Sequence, residues 1–180
     1  MKPRDKTRKK YDQIANRYEE FIGPRQLTQF NLLDTIIDTI ALQGPVLDVG
    51  AGTGLLARHL DIDVINLDLS SAMLSHAPHP RVVADWAALP IRNESIGTFF
   101  SISALETDRD SLIFLREMWR VLKPGGWFFV SVLKTQDLAR LQKELRTLAL
   151  EETKQFDAVD AILFIGRKGP TPCQSLNKTS

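Results

Sequence analysis

A glycine-rich segment follows the first strongly apolar run of the sequence, which reads VLDVGAGTGLL from Val46. Glycines at the end of a strand allow the backbone to approach a ligand closely, because they adopt left-handed conformations without steric cost. Such a turn could hold a dinucleotide, a phosphate or a ligand without phosphate. The dinucleotide pattern G-x-G-x-x-G fits Gly50 and Gly52, but its third glycine would fall on Leu55. The segment therefore departs from the dinucleotide pattern.

Three aspartates accompany successive apolar runs. Asp48 lies inside the first run, Asp68 closes the second and Asp85 follows the third. A carboxylate in an apolar strand is costly to bury, so we expect Asp48 to accept hydrogen bonds from loop amides or from a ligand. Asp68 has the position of an acid that accepts both hydroxyls of a ribose, and it could also cap a helix opening at Ser70. Asp85 is placed to accept from an exocyclic adenine amine, although alone it would be an ordinary loop residue.

Alternating strands and helices must bring these residues together. We predict helices over Lys6–Ile22 and Arg25–Leu42, separated by Gly23–Pro24. Five strands follow at Val46–Val49, Val64–Leu67, Arg81–Ala84, Ile96–Ile102 and Trp127–Leu133, with helices at Leu55–Leu60, Ser70–His76, Asp110–Leu122 and Asp137–Leu150. Runs around Glu152–Ala158 and Ala161–Arg167 are predicted to form an antiparallel pair. This order predicts an α/β fold with a doubly wound parallel sheet, which binds ligands beyond the carboxyl ends of its strands.

The ordered motifs resemble those of class I S-adenosylmethionine-dependent methyltransferases. The segments that carry the resemblance are VLDVGAGTG, INLDLSSAML, VVADWAALP, IGTFFSISALE and LREMWRVLKPGGWFFVSV. The likeness is to the methyltransferase type 11 group, typified by ubiquinone and menaquinone biosynthesis methyltransferases, and covers about Tyr11 to Arg167. It implies S-adenosylmethionine as cofactor and a Rossmann-like sheet of seven strands in the order 3-2-1-4-5-7-6, strand 7 antiparallel, with two extra N-terminal helices.

The resemblance also implies roles for single residues. The glycine loop would pass the methionine part of the cofactor, Asp68 would hold the ribose and Asp85 the adenine amine. The residues implied in cofactor binding are Tyr11, Tyr18, Asp48, Gly50, Ala51, Gly52, Gly54, Asp68, Leu69, Met73, Asp85, Trp86, Ser103 and Leu105. Tyr11 and Tyr18 would cover the site, although simple helix packing explains these tyrosines equally well.

Departures from the family bear on the methyl acceptor. The family often has a histidine pair after the fourth strand, where this sequence reads ALETD from Ala104, and an Asn/Asp-Pro-Pro-Tyr/Phe segment for nitrogen acceptors is missing there. We therefore predict methyl transfer by in-line displacement to a small-molecule or lipid-like acceptor. RNA or a protein, methylated with a partner subunit, and a non-catalytic binding or scaffold module are the alternatives. Glu106 and Asp108 could supply a general base, but helix capping explains them as well, so no catalytic residue is assigned.

Length and charge limit the organisation of the chain. The 180 residues predict a single methyltransferase domain over 1–168, with a helical cap over 1–44, an α/β core over 45–168 and a disordered tail over 169–180. A net charge of +1 argues against a surface that neutralises many phosphates. Basic residues are nonetheless concentrated at positions 2–10. They could form a contact for nucleic acid or an acidic partner, or they could be the solvated start of a helix.

Cysteine, histidine and apolar content bear on the compartment and on metals. Cys173 is the single cysteine, which excludes an intramolecular disulfide and suits a reducing cytoplasm. No apolar run has the length of a membrane span, and no signal-peptide core follows the basic N-terminus, so we predict a cytoplasmic protein. The three histidines and one cysteine show no zinc-ligand spacing, which predicts no metal site.

Overall fold

The computed structural model describes residues 3–105, 111–148 and 150–170. Its helices are α1 (Pro3–Ile14), α2 (Tyr18–Ile37), α3 (Leu55–Leu60), α4 (Ser71–Leu74), α5 (Ser111–Val121) and α6 (Leu138–Leu145). Its strands are β1 (Val46–Val49), β2 (Val64–Asp68), β3 (Arg81–Val83), β4 (Ile96–Ile102), β5 (Leu122–Leu133), β6 (Leu150–Asp157) and β7 (Ala161–Lys168). A 3₁₀ turn at Ala15–Arg17 joins α1 to α2.

The strands form one seven-stranded sheet in the order β3-β2-β1-β4-β5-β7-β6. The pairs among β1 to β5 are parallel, and β7 runs antiparallel between β5 and β6. The predicted fold class, strand order and antiparallel seventh strand are confirmed. Because the parallel strands share a direction, the segments that follow β1, β2 and β4 meet at one edge of the sheet.

Helices cover both faces of this sheet. On one face, α5 and α6 bury Phe114, Met118 and Leu141 against Leu47, Phe99 and Phe128. On the other face, α2 and α3 bury Phe30, Leu33 and Leu56 against Phe100, Phe129 and Ile165. The central strand β4 is buried along its whole length, including its two polar residues Thr98 and Ser101.

The boundary between the N-terminal helices differs from the prediction. A break at Gly23–Pro24 is wrong, because both residues lie inside α2, and the break falls at the 3₁₀ turn instead. Proline removes one helical hydrogen bond and lowers helix propensity. The buried face of α2, which includes Phe30 and Leu33, packs against the sheet, and this packing outweighs the local cost of Pro24.

Further boundaries differ: α2 ends at Ile37 rather than at Leu42, and two others involve strands. β5 begins at Leu122 rather than at Trp127, since Leu122 pairs with Ile96 and the strand bulges before Trp127 pairs with Thr98. The predicted helix over Asp137–Leu150 is too long: α6 ends at Leu145, and Leu150 pairs with β7. In both cases a long-range strand pairing decides the conformation. The predicted domain limits and the tail over 169–180 stay predictions, and most of that tail lies outside the described residues.

Within the described ranges, no helix combines the length and apolar character needed to cross a membrane.

Candidate active site

A cavity opens at the carboxyl ends of β1, β2 and β4. The predicted residues that line it are Tyr11, Tyr18, Gly50, Gly52, Asp68, Leu69, Met73, Trp86 and Ser103. The first turns of α1 contribute Thr7 and Arg8 and form part of its roof. Its enclosed volume is about 100 Å³, below the roughly 300–1,000 Å³ of typical small-molecule pockets. The structure therefore brings nine of the predicted residues together around one cavity, and α1 lies over that cavity.

The other predicted residues, Asp48, Ala51, Gly54, Asp85 and Leu105, are not among those that line this cavity. Leu105 is buried in the hydrophobic core on the α5 face. Asp85 follows β3, and its Oδ1 accepts a hydrogen bond from the amide of Ala87 at 2.9 Å. The cofactor contacts predicted for all of these residues stay predictions.

The glycine loop has two structural tasks. Gly50 has a φ of 77°, and a Cβ at this position would overlap the Cβ of Ala104 across the cavity wall. Gly54 has a φ of 76°, but its missing Cβ would lie 2.8 Å from the Cβ of Ala77, outside the cavity. Both conformations favour glycine. Gly50 therefore permits a close approach of the β1 and β4 loops, whereas Gly54 packs α3 against the segment after α4.

Asp68 joins the glycine loop to the turn before α4. Its Oδ2 accepts from the amide of Gly52 at 2.9 Å, and its Oδ1 accepts from the amide of Ser70 at 2.8 Å. Burial raises the pKa of the Asp68 carboxyl, and these amide hydrogen bonds offset part of the rise. Ser70 itself caps α4, because its Oγ accepts from the amide of Met73. Ser70 is therefore the residue that caps α4, whereas Asp68 holds the glycine loop through the amide of Gly52.

Acidic groups are concentrated around this loop. Asp48 is almost fully buried in β1, and burial together with the nearby Asp68 carboxylate raises its pKa to about 8. Burial, Tyr11 and Asp68 raise the pKa of the Tyr18 hydroxyl to about 12. Groups placed in this way disfavour a further anion and favour a cationic ligand, because a nearby positive charge stabilises the ionised carboxylates.

The N-terminal helix contributes residues that sequence reasoning missed. Asp12 Oδ1 accepts from the hydroxyl of Ser70 at 2.5 Å, which ties α1 to the turn before α4. The rings of Tyr11 and Tyr18 meet edge to face with centroids 6.1 Å apart. Arg8 belongs to the basic run but lines the cavity. Its spacing of three residues from Tyr11 was the available signal, since such residues share a helix face.

A buried polar cluster lies directly behind the cavity wall. Gln29 of α2 and Ser131 of β5 are both nearly inaccessible, and both hydrogen-bond to Ser103. The available signal was the same for both, since Gln29 is a polar residue within the apolar stripe of α2 and Ser131 is the polar residue of the WFFVSV run. The base candidates Glu106 and Asp108 lie outside the described residues. Among the described residues, no three His, Cys, Asp or Glu side chains are grouped so as to hold a metal ion.

Comparison with known proteins gives a consistent result. Residues 47–130 match the family model described as a methyltransferase domain. The chain is 34% identical over 148 residues to a malonyl-[acyl-carrier protein] O-methyltransferase of Halorhodospira halophila, covering 75% of this chain and 50% of the relative. It is 31% identical over 141 residues to a ubiquinone biosynthesis O-methyltransferase of Xanthomonas campestris, covering 69% of this chain and 59% of the relative.

The fold also matches solved structures. A SAM-dependent methyltransferase of Thermotoga maritima superimposes with a TM-score of 0.74 at 17% identity, over 88% of this chain and 98% of that one. The chain spans about half the length of the curated relatives it matches. The matched domain, the strand order and the glycine loop followed by Asp68 agree on one assignment. The chain belongs to the class I S-adenosylmethionine-dependent methyltransferases.

Proposed function

We propose that this chain binds S-adenosylmethionine in the cavity at the carboxyl ends of β1, β2 and β4, and transfers its methyl group to a small-molecule or lipid-like acceptor. The observation that carries the proposal is the junction of the Gly50–Gly54 loop with Asp68, which accepts from the amide of Gly52 at 2.9 Å. This junction combines a close backbone approach with a carboxylate at the end of the second strand.

The residues present fit such a cofactor. Gly50 lines the cavity without a side chain and packs directly against Ala104. Asp68 offers carboxylate oxygens for ribose hydroxyls, and Met73 and Trp86 offer apolar surface for an adenine ring. The carboxylate of Asp68 suits a ligand that carries a positive sulfonium, because a nearby positive charge favours the ionised form of the acid.

The bound cofactor would supply an activated methyl group and a good leaving group, so the main task of the protein is proximity and alignment. The Gly50 loop and Ser103 would fix the two sides of the methyl-transfer path. Tyr11 and Tyr18 would exclude water when α1 is closed. Because the enclosed volume is only about 100 Å³, we infer that α1 moves outward to admit the ligand. No general base is assigned.

The relatives support an oxygen acceptor. Both relatives described above are named as O-methyltransferases, one acting on a malonyl group carried by a protein and one in ubiquinone biosynthesis. We therefore propose an oxygen atom of a small or lipid-like acceptor as the methyl-accepting atom. A cytoplasmic location and a partner subunit stay predictions from the sequence.

Cofactor binding can be tested without knowledge of the acceptor. We expect S-adenosylmethionine and S-adenosylhomocysteine to bind in calorimetry, and Asp68→Ala to weaken both by at least about tenfold, since it removes a charged hydrogen-bond acceptor. Asp63→Ala, an exposed aspartate before β2, is the matched control and should bind as the wild type does. Absence of binding, or an unchanged affinity in Asp68→Ala, contradicts the proposal.

The acceptor class needs a second experiment. The protein is incubated with methyl-labelled S-adenosylmethionine and fractionated cell extract, and the label is followed into small molecules, lipids, RNA and protein. Label in the small-molecule or lipid fraction is the expected result. Label in RNA, or in protein other than on a carrier-bound acyl group, would replace the acceptor class. Binding without transfer to any fraction would favour a non-catalytic module.

A further inference from the structure

Ser103 has an unusual backbone for a residue in the cavity wall. It follows β4 directly and has a φ of 57°, in the left-handed region that residues with a Cβ rarely adopt. Asp61 and Glu94 also have positive φ values in the described chain, but neither lines the cavity. Strained residues of this kind persist only where their surroundings hold them, and they concentrate at functional sites.

Two buried residues hold Ser103 in this conformation. The amide of Ser103 donates to Ser131, at 2.8 Å to Oγ and 3.2 Å to the carbonyl oxygen. Gln29 Nε2 donates to the hydroxyl of Ser103 at 3.0 Å. The hydroxyl of Ser131 donates to Gln29 Oε1 at 2.8 Å, which closes a triangle between α2, β5 and the end of β4. With Gln29 3% and Ser131 1% exposed, water does not replace these hydrogen bonds readily.

The position of Ser103 sets the cavity wall. Ala104 follows Ser103, and a Cβ on Gly50 would overlap the Cβ of Ala104, so the Ser103–Ala104 segment packs directly against the β1 loop. Ser103, Ala104 and Gly50 all line the cavity. A small backbone shift at Ser103 would therefore change the width of the cavity between the two loops. The helix α2 carries both Gln29 and Tyr18, and Tyr18 lines the cavity. Gln29 therefore connects this helix to the cavity wall at Ser103.

We propose that Gln29 and Ser131 are positioning residues for the methyl donor, acting through the left-handed backbone of Ser103. This inference rests on the proposed function and adds to it. Neither residue is among those lining the cavity, so their effect is exerted through the geometry of the wall.

The test compares affinity with stability in three variants. Ser131→Ala removes one acceptor of the Ser103 amide, and Ser103→Gly removes the strain together with the hydroxyl. Both should weaken S-adenosylhomocysteine binding, by calorimetry well below the melting temperature, by about threefold to tenfold. Asp61→Gly is the matched control, because it relieves a φ of 51° away from the cavity and should leave the affinity unchanged.

The outcomes are separable. If Ser131→Ala and Ser103→Gly change the melting temperature but bind S-adenosylhomocysteine within twofold of the wild type, the network is merely structural and the inference is overturned. Should Ser131→Ala fail to fold, Gln29→Ala takes its place, since it removes the contacts with Ser103 and Ser131 from a residue that does not line the cavity. A wild-type protein that binds neither S-adenosylmethionine nor S-adenosylhomocysteine would overturn the proposed function, and this inference with it.

Discussion

Asp48 links the pH dependence of stability to the candidate site. Burial and the nearby Asp68 carboxyl raise its pKa in the folded protein to about 8, against 3.8 for an ordinary aspartate. Between these values the native carboxyl keeps a proton that the unfolded chain releases, so its stabilising contribution is present below about pH 4 and is lost as the pH rises towards 8. The slope for one group is about 1.4 kcal/mol per pH unit.

We predict that Asp48→Asn removes this dependence. The variant should gain stability relative to the wild type as the pH rises from 5 to 8, because an amide has no proton to lose. Urea unfolding at several pH values measures the difference. Parallel stability curves for the two proteins would show that burial of Asp48 does not control its ionisation.

Substitutions at Gly50 and Gly54 can distinguish an effect on ligand affinity from an effect on folding stability. Alanine at either position meets both a left-handed φ and a steric overlap, so each variant should lose roughly 1–3 kcal/mol of unfolding free energy. We predict that Gly50→Ala also loses S-adenosylhomocysteine affinity, whereas folded Gly54→Ala keeps it. Calorimetry beside chemical unfolding measures both quantities. Equal affinity losses in the two variants would contradict the distinction.

A compensating change sharpens this comparison. In Gly50→Ala combined with Ala104→Gly, the overlap between the two Cβ atoms is removed but the left-handed φ at position 50 remains. We expect partial recovery of affinity relative to Gly50→Ala alone. No recovery would indicate that backbone strain at position 50 dominates.

At the scale of elements, α1 and α2 differ in how they attach to the core. α2 buries Phe30 and Leu33 against the sheet, while α1 ends at Ile14 with most of its side chains exposed. Arg58 of α3 adds a contact to Glu19 at 2.5 Å, which fixes the start of α2. The 3₁₀ turn at Ala15–Arg17 therefore separates an anchored helix from a covering one.

Deletion of residues 1–14 tests this division. We predict a change of at most about 1 kcal/mol in unfolding free energy, because little apolar surface is lost. Dissociation of S-adenosylhomocysteine should become at least about tenfold faster, since Tyr11 and Arg8 no longer cover the cavity. Stopped-flow measurements give this rate, with Lys9→Ala as an exposed-residue control. An unchanged rate would argue against a covering role for α1.

Sequence reasoning succeeded where local pattern decides structure. The strand Ile96–Ile102 and the turn after Val49 follow from apolar runs and glycine, and the family order then fixed the sheet topology. The predictions were wrong where contacts with residues distant in sequence determine the conformation. Packing on the sheet carries α2 through Pro24, and pairing with β4 begins β5 at Leu122. The Gln29–Ser131 contact joins residues 102 positions apart, which no local spacing reveals.

For the whole molecule, ligand binding should appear as thermal stabilisation. A ligand at about one hundred times its Kd adds about 2.7 kcal/mol to the folded state. For a chain of this length, this corresponds to a rise in Tm of roughly 5–10 °C. We predict this rise with S-adenosylhomocysteine and none with NAD, measured by calorimetry in the same buffer. A rise with NAD alone would reassign the glycine loop to dinucleotide binding.

The direction of β7 has a practical consequence for handling this protein. β7 runs antiparallel to β5, with Arg167 beside Trp127, so it ends at the edge of the sheet away from the cavity. α1 instead places the N-terminal segment beside the cavity, through Thr7 and Arg8. Affinity tags, fluorophores and surface tethers attached after β7 would start from the end of the sheet opposite the cavity, whereas an N-terminal fusion would start beside the cavity.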